Sequence, residues 1–150
     1  DAEGSMITVD EIMTTRPFTL PATATLADAI RVMAEKSIRH IPIMDAEGRL
    51  EGLVTRHDVL ATLDSTLRAK TERRDPATIP LAEIMTRDLK TVDSGTNLRR
   101  AALLLEEHKY SCLPVMTEGR LSGIVTDVDL VAVAINLIEQ LETSEAPGRE

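Results

Sequence analysis

Glu11-Ile12-Met13-Thr14 returns as Glu83-Ile84-Met85-Thr86, and the likeness persists at that offset through most of the chain. Ile41-Pro42-Ile43-Met44 matches Leu113-Pro114-Val115-Met116. Gly48-Arg49-Leu50-Glu51-Gly52-Leu53-Val54-Thr55 matches Gly119-Arg120-Leu121-Ser122-Gly123-Ile124-Val125-Thr126 after a one-residue deletion, and Asp58 then matches Asp129. A repeat this long sets the architecture, because each copy is one supersecondary unit. The 150 residues suffice for one good core, or for two small repeats that share one, but not for a large catalytic domain as well.

Each copy reads as strand, helix, strand, strand, helix. In the first, Phe18-Thr19-Leu20 is a short extended run closed by Pro21. Thr25 caps a helix whose apolar positions Leu26, Ala29, Ile30 and Met33 share one face; in the second copy Asn97 caps, and Leu98, Ala101, Ala102 and Leu105 repeat the face. Ile41–Met44 and Leu50–Val54 are strands joined by Asp45-Ala46-Glu47-Gly48, with Gly supplying the turn. The closing helix begins near Thr55 or Thr126 and carries Val59, Leu60 and Leu63 in copy one, and Leu130, Ala134, Leu137, Ile138 and Leu141 in copy two. The fold class is therefore α/β (α+β). The expected organisation is residues 1–5 an expression remnant, 6–66 the first repeat, 67–79 a basic linker containing Lys70, Arg73 and Arg74, 80–141 the second repeat, and 142–150 an acidic tail that frays.

Composition removes several functions. A net charge of −8, with one Tyr, one Phe and no Trp, suits neither phosphate tracking nor base stacking along nucleic acid. The longest strongly apolar stretch, Leu130–Ile138, is about half of what a membrane span needs. With Met6 as the start no signal peptide is expected, and Cys112, having no second thiol, gives no sign of an oxidising compartment, so the expected location is the cytoplasm. Cys112 with His40 or His108 lacks an orienting acid and reads as a small buried residue rather than a nucleophile. Asp127, Asp129 and His57 read as cap and solvent groups rather than metal ligands. The methionines Met13, Met33, Met44, Met85 and Met116 suit a core or an adaptable pocket wall.

The pattern Gly-apolar-apolar-Thr-x-x-Asp closes a strand and opens a helix at Gly52–Asp58 and again at Gly123–Asp129. The unpaired first amides of a helix and its dipole attract anions, and a carboxylate one turn on suits the paired hydroxyls of a ribose. The same spacing is also a relative of the capping box, in which Thr and acid cap each other's amides. Spacing alone leaves both readings open.

Over Val9–Leu63 and Pro80–Leu141 the chain resembles a tandem cystathionine β-synthase (CBS) domain pair. The likeness rests on Glu-Ile-Met-Thr opening each copy, on Arg39-His40-Ile41-Pro42-Ile43 and Ser111-Cys112-Leu113-Pro114-Val115, and on the two Gly…Thr-x-x-Asp closings. The resemblance implies two β-α-β-β-α repeats about a pseudo-two-fold axis, with two clefts between them for AMP, ADP, ATP or S-adenosylmethionine. It implies a first cleft from Thr14, Thr19, Ile38, Arg39, His40 and Pro42 with Thr126 and Asp129. The second would use Thr86, Thr91, Tyr110, Ser111, Cys112 and Pro114 with Thr55, Arg56 and Asp58. Adenine is expected to rest on aliphatic side chains and backbone. Where copy one has Arg56-His57, copy two has Asp127-Val128, so a highly charged ligand is disfavoured there unless Arg39 and His40 offset it.

The function expected is a non-catalytic regulatory sensor with no obligatory cofactor, Mg²⁺ entering only with a nucleotide, and an unidentified regulated protein as partner. The alternative is a ligand-free dimerisation or scaffold module. A homodimer is expected in either case, because Leu130, Ile135, Leu137, Ile138 and Leu141 exceed what one small repeat can cover.

Overall fold

A computed structural model describes residues 7–68 and 73–145; Asp1–Ser5, Met6, Lys70 and the tail beyond Glu145 lie outside the described residues. The elements are β1 (Thr14–Thr15), β2 (Leu20–Pro21), α1 (Leu26–Lys36), β3 (His40–Met44), β4 (Leu50–Thr55), α2 (Arg56–Arg68), β5 (Val92–Asp93), α3 (Leu98–His108), β6 (Cys112–Thr117), β7 (Arg120–Thr126) and α4 (Asp127–Glu145). The class is mixed α/β, with two small sheets ordered β1-β7-β6-β5 and β2-β3-β4. In each copy the short first strand runs parallel to the strand after the helix, Leu20 opposite Ile43 and Val92 opposite Val115.

Local chemistry explains the elements. Thr25 Oγ1 accepts from the Asp28 amide at 3.2 Å while Asp28 Oδ2 accepts from the Thr25 amide at 2.9 Å, a reciprocal cap that starts α1. Those backbone and hydroxyl hydrogen bonds hold the Asp28 carboxyl below its usual range. Asn97 Oδ1 accepts from the Arg100 amide at 2.8 Å and starts α3. Both helices stop at a left-handed residue, Ser37 (φ 53°) and Lys109 (φ 57°). The first hairpin turns on Asp45, whose Oδ1 accepts from the amides of Glu47 and Arg49, with Gly48 at φ 78°. One residue shorter, the second turns on Glu118 (φ 51°) and Gly119 (φ 79°), the two positive φ values of a two-residue hairpin loop.

The chain forms two compact units, and these do not follow the copies in chain order. Of the described residues, unit 1 comprises 7–15, Thr91–Met116 and 123–145; unit 2 comprises 16–68, 73–90 and Thr117–Ser122. In unit 2, Ile79 and Leu81, which precede the second copy's strands, are fully buried with Leu26, Ile41, Ile43 and Val54 of the first. The Ile79 carbonyl accepts from the Leu26 amide and the Ala24 carbonyl from the Leu81 amide, both at 2.8 Å. Unit 1 repeats the arrangement: Val9 is buried with Leu113, Val115 and Val125, and the Ile7 carbonyl accepts from the Leu98 amide at 2.7 Å. Each copy's leading segment thus completes the core built on the other copy's helix and strands. Burial of one such large aliphatic side chain contributes about 1.5–3 kcal/mol.

Several expectations are corrected by the packing. Pro21 lies inside β2, at the edge of its sheet, where its missing amide costs nothing. Phe18 is exposed, with the Lys36 ammonium 4.8 Å from its ring centroid. On α2, Val59 is buried and Leu63 packs against the core, but Leu60 is 53% exposed. Leu130 packs partly against the unit 1 core rather than joining the outward stripe of α4. The segment read as linker supplies Ile79 to the core and Arg74 to a two-pronged ion pair with Glu83, at 2.9 and 3.1 Å, which lowers the Glu83 pKa. Helix α4 continues through Glu142 to Glu145, into the stretch expected to fray.

Candidate functional site

The two strand-to-helix junctions, β4 into α2 and β7 into α4, are built alike. At Gly123 an added Cβ would lie 2.6 Å from Met13 Sδ and 2.7 Å from the Thr14 carbonyl oxygen; at Gly52 it would lie 2.8 Å from Met85 Sδ and 2.9 Å from the Thr86 carbonyl oxygen. The glycine is required because the Met-Thr backbone crosses directly over it. Thr14 pairs with Ile124 as β1 against β7, and Thr86 exchanges two 2.9 Å backbone hydrogen bonds with Leu53. Glu-Ile-Met-Thr and Gly-apolar-apolar-Thr, read as separate motifs, are therefore two halves of one contact inside each unit. The recurrence of both motifs signalled their importance, but spacing gave no sign that they meet.

Beyond each glycine the Thr-x-x-Asp closes a reciprocal cap. The Thr55 amide donates to Asp58 Oδ2 at 2.9 Å and the Asp58 amide to Thr55 Oγ1 at 3.1 Å; Thr126 and Asp129 do the same at 2.9 and 3.2 Å. The capping reading is thus realised at both places. Oδ1 of Asp58 and of Asp129 makes no hydrogen bond among the described residues, and both side chains are half-buried. A carboxylate oxygen with free lone pairs beside the opening amides of a helix can accept from a ligand hydroxyl while the other oxygen holds the cap.

Charge separates the junctions. In unit 2 the Arg56 amide donates to the Arg39 carbonyl at 2.8 Å, so two exposed arginines flank the start of α2, with His40 paired across from Thr55. At the matching place in unit 1 the Asp127 amide donates to the Ser111 carbonyl at 3.1 Å, and the residues are Ser111, Cys112, Asp127 and Asp129. Burial pushes the Cys112 thiol up to about 12, with the carboxylates of Asp129 and Asp127 adding to the shift. A thiol so far from ionisation is a packing group.

The remaining candidates divide by unit. Unit 1 holds Thr14, Thr91, Tyr110 and Pro114 with the residues just named; unit 2 holds Thr19, Ile38, Pro42 and Thr86. Thr14, Thr19, Thr86, Arg39, Arg56, Ser111 and Tyr110 are exposed and Ile38, His40, Thr91, Thr55 and Thr126 half-buried, whereas Pro42, Pro114 and Cys112 are buried and leave little side chain for a ligand. Among the described residues no group of three His, Cys, Asp or Glu is placed to hold a metal, and no helix is long and apolar enough to cross a membrane.

A family model described as the CBS domain matches residues 9–65 and again 81–136. Among solved structures, a Vibrio cholerae protein assigned to acetoin utilization (AcuB) is similar at 41% identity and a TM-score of 0.80, over 91% of this chain and 98% of that one. CBSX2, a CBS-pair protein of Arabidopsis thaliana solved in complex with AMP, is similar at 32% identity and a TM-score of 0.72, over 87% of this chain and 98% of that one. The CBS domain-containing protein YhcV of Bacillus subtilis is 30% identical over 83% of this chain and 84% of its own length. Longer proteins also match: the chain is 31% identical over 83% of its length to a homoserine O-acetyltransferase of Methanocorpusculum labreanum, and spans 23% of that protein.

Proposed function

The chain belongs to the CBS-domain family as a tandem pair, and on that premise we propose that it is a non-catalytic sensor that binds an adenosine-containing ligand: AMP, ADP, ATP or S-adenosylmethionine. The observation that carries the reading is the pair of Thr-x-x-Asp junctions, each with a carboxylate oxygen left over beside the first amides of a helix. The AMP complex of CBSX2 supports the same ligand class. In this reading the leftover oxygen of Asp58 or Asp129 accepts from the ribose hydroxyls, and the Thr55 or Thr126 hydroxyl donates to the first phosphate at the positive end of the helix dipole. Arg56, at the helix start that carries Asp58, favours a polyphosphate there, whereas Asp127, at the one that carries Asp129, favours a ligand with little negative charge unless Arg39 and His40 offset it. Mg²⁺ enters only with a nucleotide.

Occupancy stabilises the ligand-competent arrangement, and a partner protein reads the shift in population. The partner is a cytoplasmic protein outside this chain. The module acts as a homodimer, a proposal supported by α4, on which Val128, Val131, Ile135, Leu137, Ile138 and Leu141 are 46–64% exposed. That stripe also favours the second reading, a dimeric scaffold that needs no ligand. Thermal unfolding with a panel of adenosine ligands decides between them. A ligand at about 100 times its dissociation constant adds roughly 2.7 kcal/mol, several degrees in melting temperature, and GTP adds less. Equal shifts with all nucleotides contradict adenosine specificity. A light-scattering mass of two chains with no ligand shift establishes the scaffold instead.

A further inference from the structure

Met6, Ile7 and Val9, ahead of β1, correspond to Thr78, Ile79 and Leu81, ahead of the second copy's strands. The two leading segments make the same backbone contact: the Ile7 carbonyl accepts from the Leu98 amide at 2.7 Å, and the Ile79 carbonyl from the Leu26 amide at 2.8 Å. Their side chains differ in burial. Ile79 is 1% exposed and follows the helical turn Pro76–Thr78, which packs against α1, whereas Ile7 is 39% exposed. Ile7 stands on the rim of an apolar groove of about 530 Å³ between α3 and α4, lined with Leu98, Ala102, Val133, Ala134 and Leu137.

The matching residues of unit 2 show what opens this groove. Ala102 stands where α1 has Ile30, and Ala134 where α2 has Leu63; both of those longer side chains pack against the unit 2 core. Val133 and Leu137 stand where α2 has Thr62 and Thr66. The groove walls of unit 1 are thus shorter and more apolar than their counterparts, and the leading segment changes in the opposite sense, with Met6 in place of the exposed Thr78. Protein interiors are close-packed, and an unbranched thioether adapts to the irregular apolar space that two alanines leave. Met6 is bonded to a residue that already lines the groove, so seating it requires no loop to close. We propose that this groove is the seat of the chain's own leading segment, with the Met6 side chain laid between α3 and α4 against Ala102, Ala134 and Leu137. Leu137 then belongs to an intramolecular contact. The face left for a second copy is the line Val128, Val131, Ile135 and Ile138, whose three-and-four spacing does not include Leu137. The inference is independent of the ligand reading.

Nuclear magnetic resonance of the full chain, labelled on methionine and alanine methyl groups, tests the contact, the Met6 signal being the one that Met6→Thr removes. The Met6 methyl shows nuclear Overhauser contacts with the Ala102 and Ala134 methyls, and in a mixture of labelled and unlabelled chains these arise within one chain. In urea denaturation Met6→Thr raises the unfolding constant about tenfold, and Met6→Leu, a swap of similar volume, raises it less. In an Ala134→Leu background, which gives the groove unit 2's longer side chain, Met6→Thr raises it by less than about threefold, because the space is already taken. If Ala134→Leu does not fold, Ala102→Ile supplies the same background. A Met6 methyl with no contact to either alanine, a Met6→Thr variant as stable as wild type, or an equal cost of Met6→Thr in both backgrounds overturns the proposal. Contacts found only between different chains also overturn it, and make the groove a seat for a second copy.

Discussion

Unit 1 and unit 2 share a plan down to the glycine under the Met-Thr crossing and the reciprocal cap one turn later, yet their junctions carry opposite charge. Arg39 and Arg56 meet at one; Ser111 and Asp127 meet at the other. Their closing helices differ as well, since α2 has 13 residues and α4 has 19 with a long exposed apolar stripe. What the units have in common is backbone geometry, and what sets them apart is side chains that the backbone does not constrain. Duplication therefore preserves a scaffold with two junctions while leaving the charge at each, and the exposed face of one closing helix, free to differ.

The shared part is the most costly to disturb. Gly123→Ala and Gly52→Ala each force a methyl against a carbonyl oxygen as well as a flexible thioether, and are expected to destabilise by about 1–3 kcal/mol, Gly123→Ala the more because its contacts are shorter. Urea denaturation of both variants measures the loss, and two neutral substitutions remove the crossing from the account. Among the differences, Cys112 has the largest thermodynamic consequence. Its thiol titrates near 9 when unfolded and about 12 in the fold, so the folded chain holds a proton that the unfolded chain releases between those values. The unfolding free energy then falls as pH rises above 9, by about 1.4 kcal/mol per unit, and below 9 the group contributes no pH dependence. Comparing wild type with Cys112→Ala at pH 8 and pH 10 isolates this slope, which the variant loses. The smallest effect lies at the matched helix ends: Ser37→Gly and Lys109→Gly relieve a left-handed backbone, with a net gain of about 0.5 kcal/mol each after the added chain entropy. Unequal gains would show that the two ends are not equivalent.

The repeat, the order of elements within it, both N-caps and the buried face Leu26-Ala29-Met33 were legible because each is a local relation between residues close in sequence. The exchange of leading segments was legible only through the family resemblance, which groups Thr14 with Thr126 and Asp129, and Thr86 with Thr55 and Asp58. The internal match of Ile12 with Ile84 and of Met13 with Met85 does not by itself say which copy's core receives them, and Val9 and Leu81 show that it is the opposite one. The glycine's purpose was hidden for the same reason, since its crowding partner lies far away in the chain. Leu60 and Leu130 were misplaced because helical spacing assigns a face without fixing which part of it meets the core. At the site, Thr-x-x-Asp carried two readings, and the structure displays the cap while leaving one carboxylate oxygen available.

The chain contains its own control for that last point. Thr25 and Asp28 form the same reciprocal cap as the two junction pairs, with matching distances, at a helix start where no ligand role is proposed. Asp28→Asn, Asp58→Asn and Asp129→Asn should each lower stability by about 1 kcal/mol or less, since the amide oxygen keeps part of the cap. Calorimetry of the three variants with AMP and ATP then tests the central claim most directly. The account predicts wild-type affinity for Asp28→Asn, and a loss of about ten- to a hundredfold at one site in each of Asp58→Asn and Asp129→Asn, where charge-assisted hydrogen bonds to ribose are removed. Unchanged affinity in all three, with only the melting temperature lowered, would make Thr-x-x-Asp a helix cap at every place it occurs.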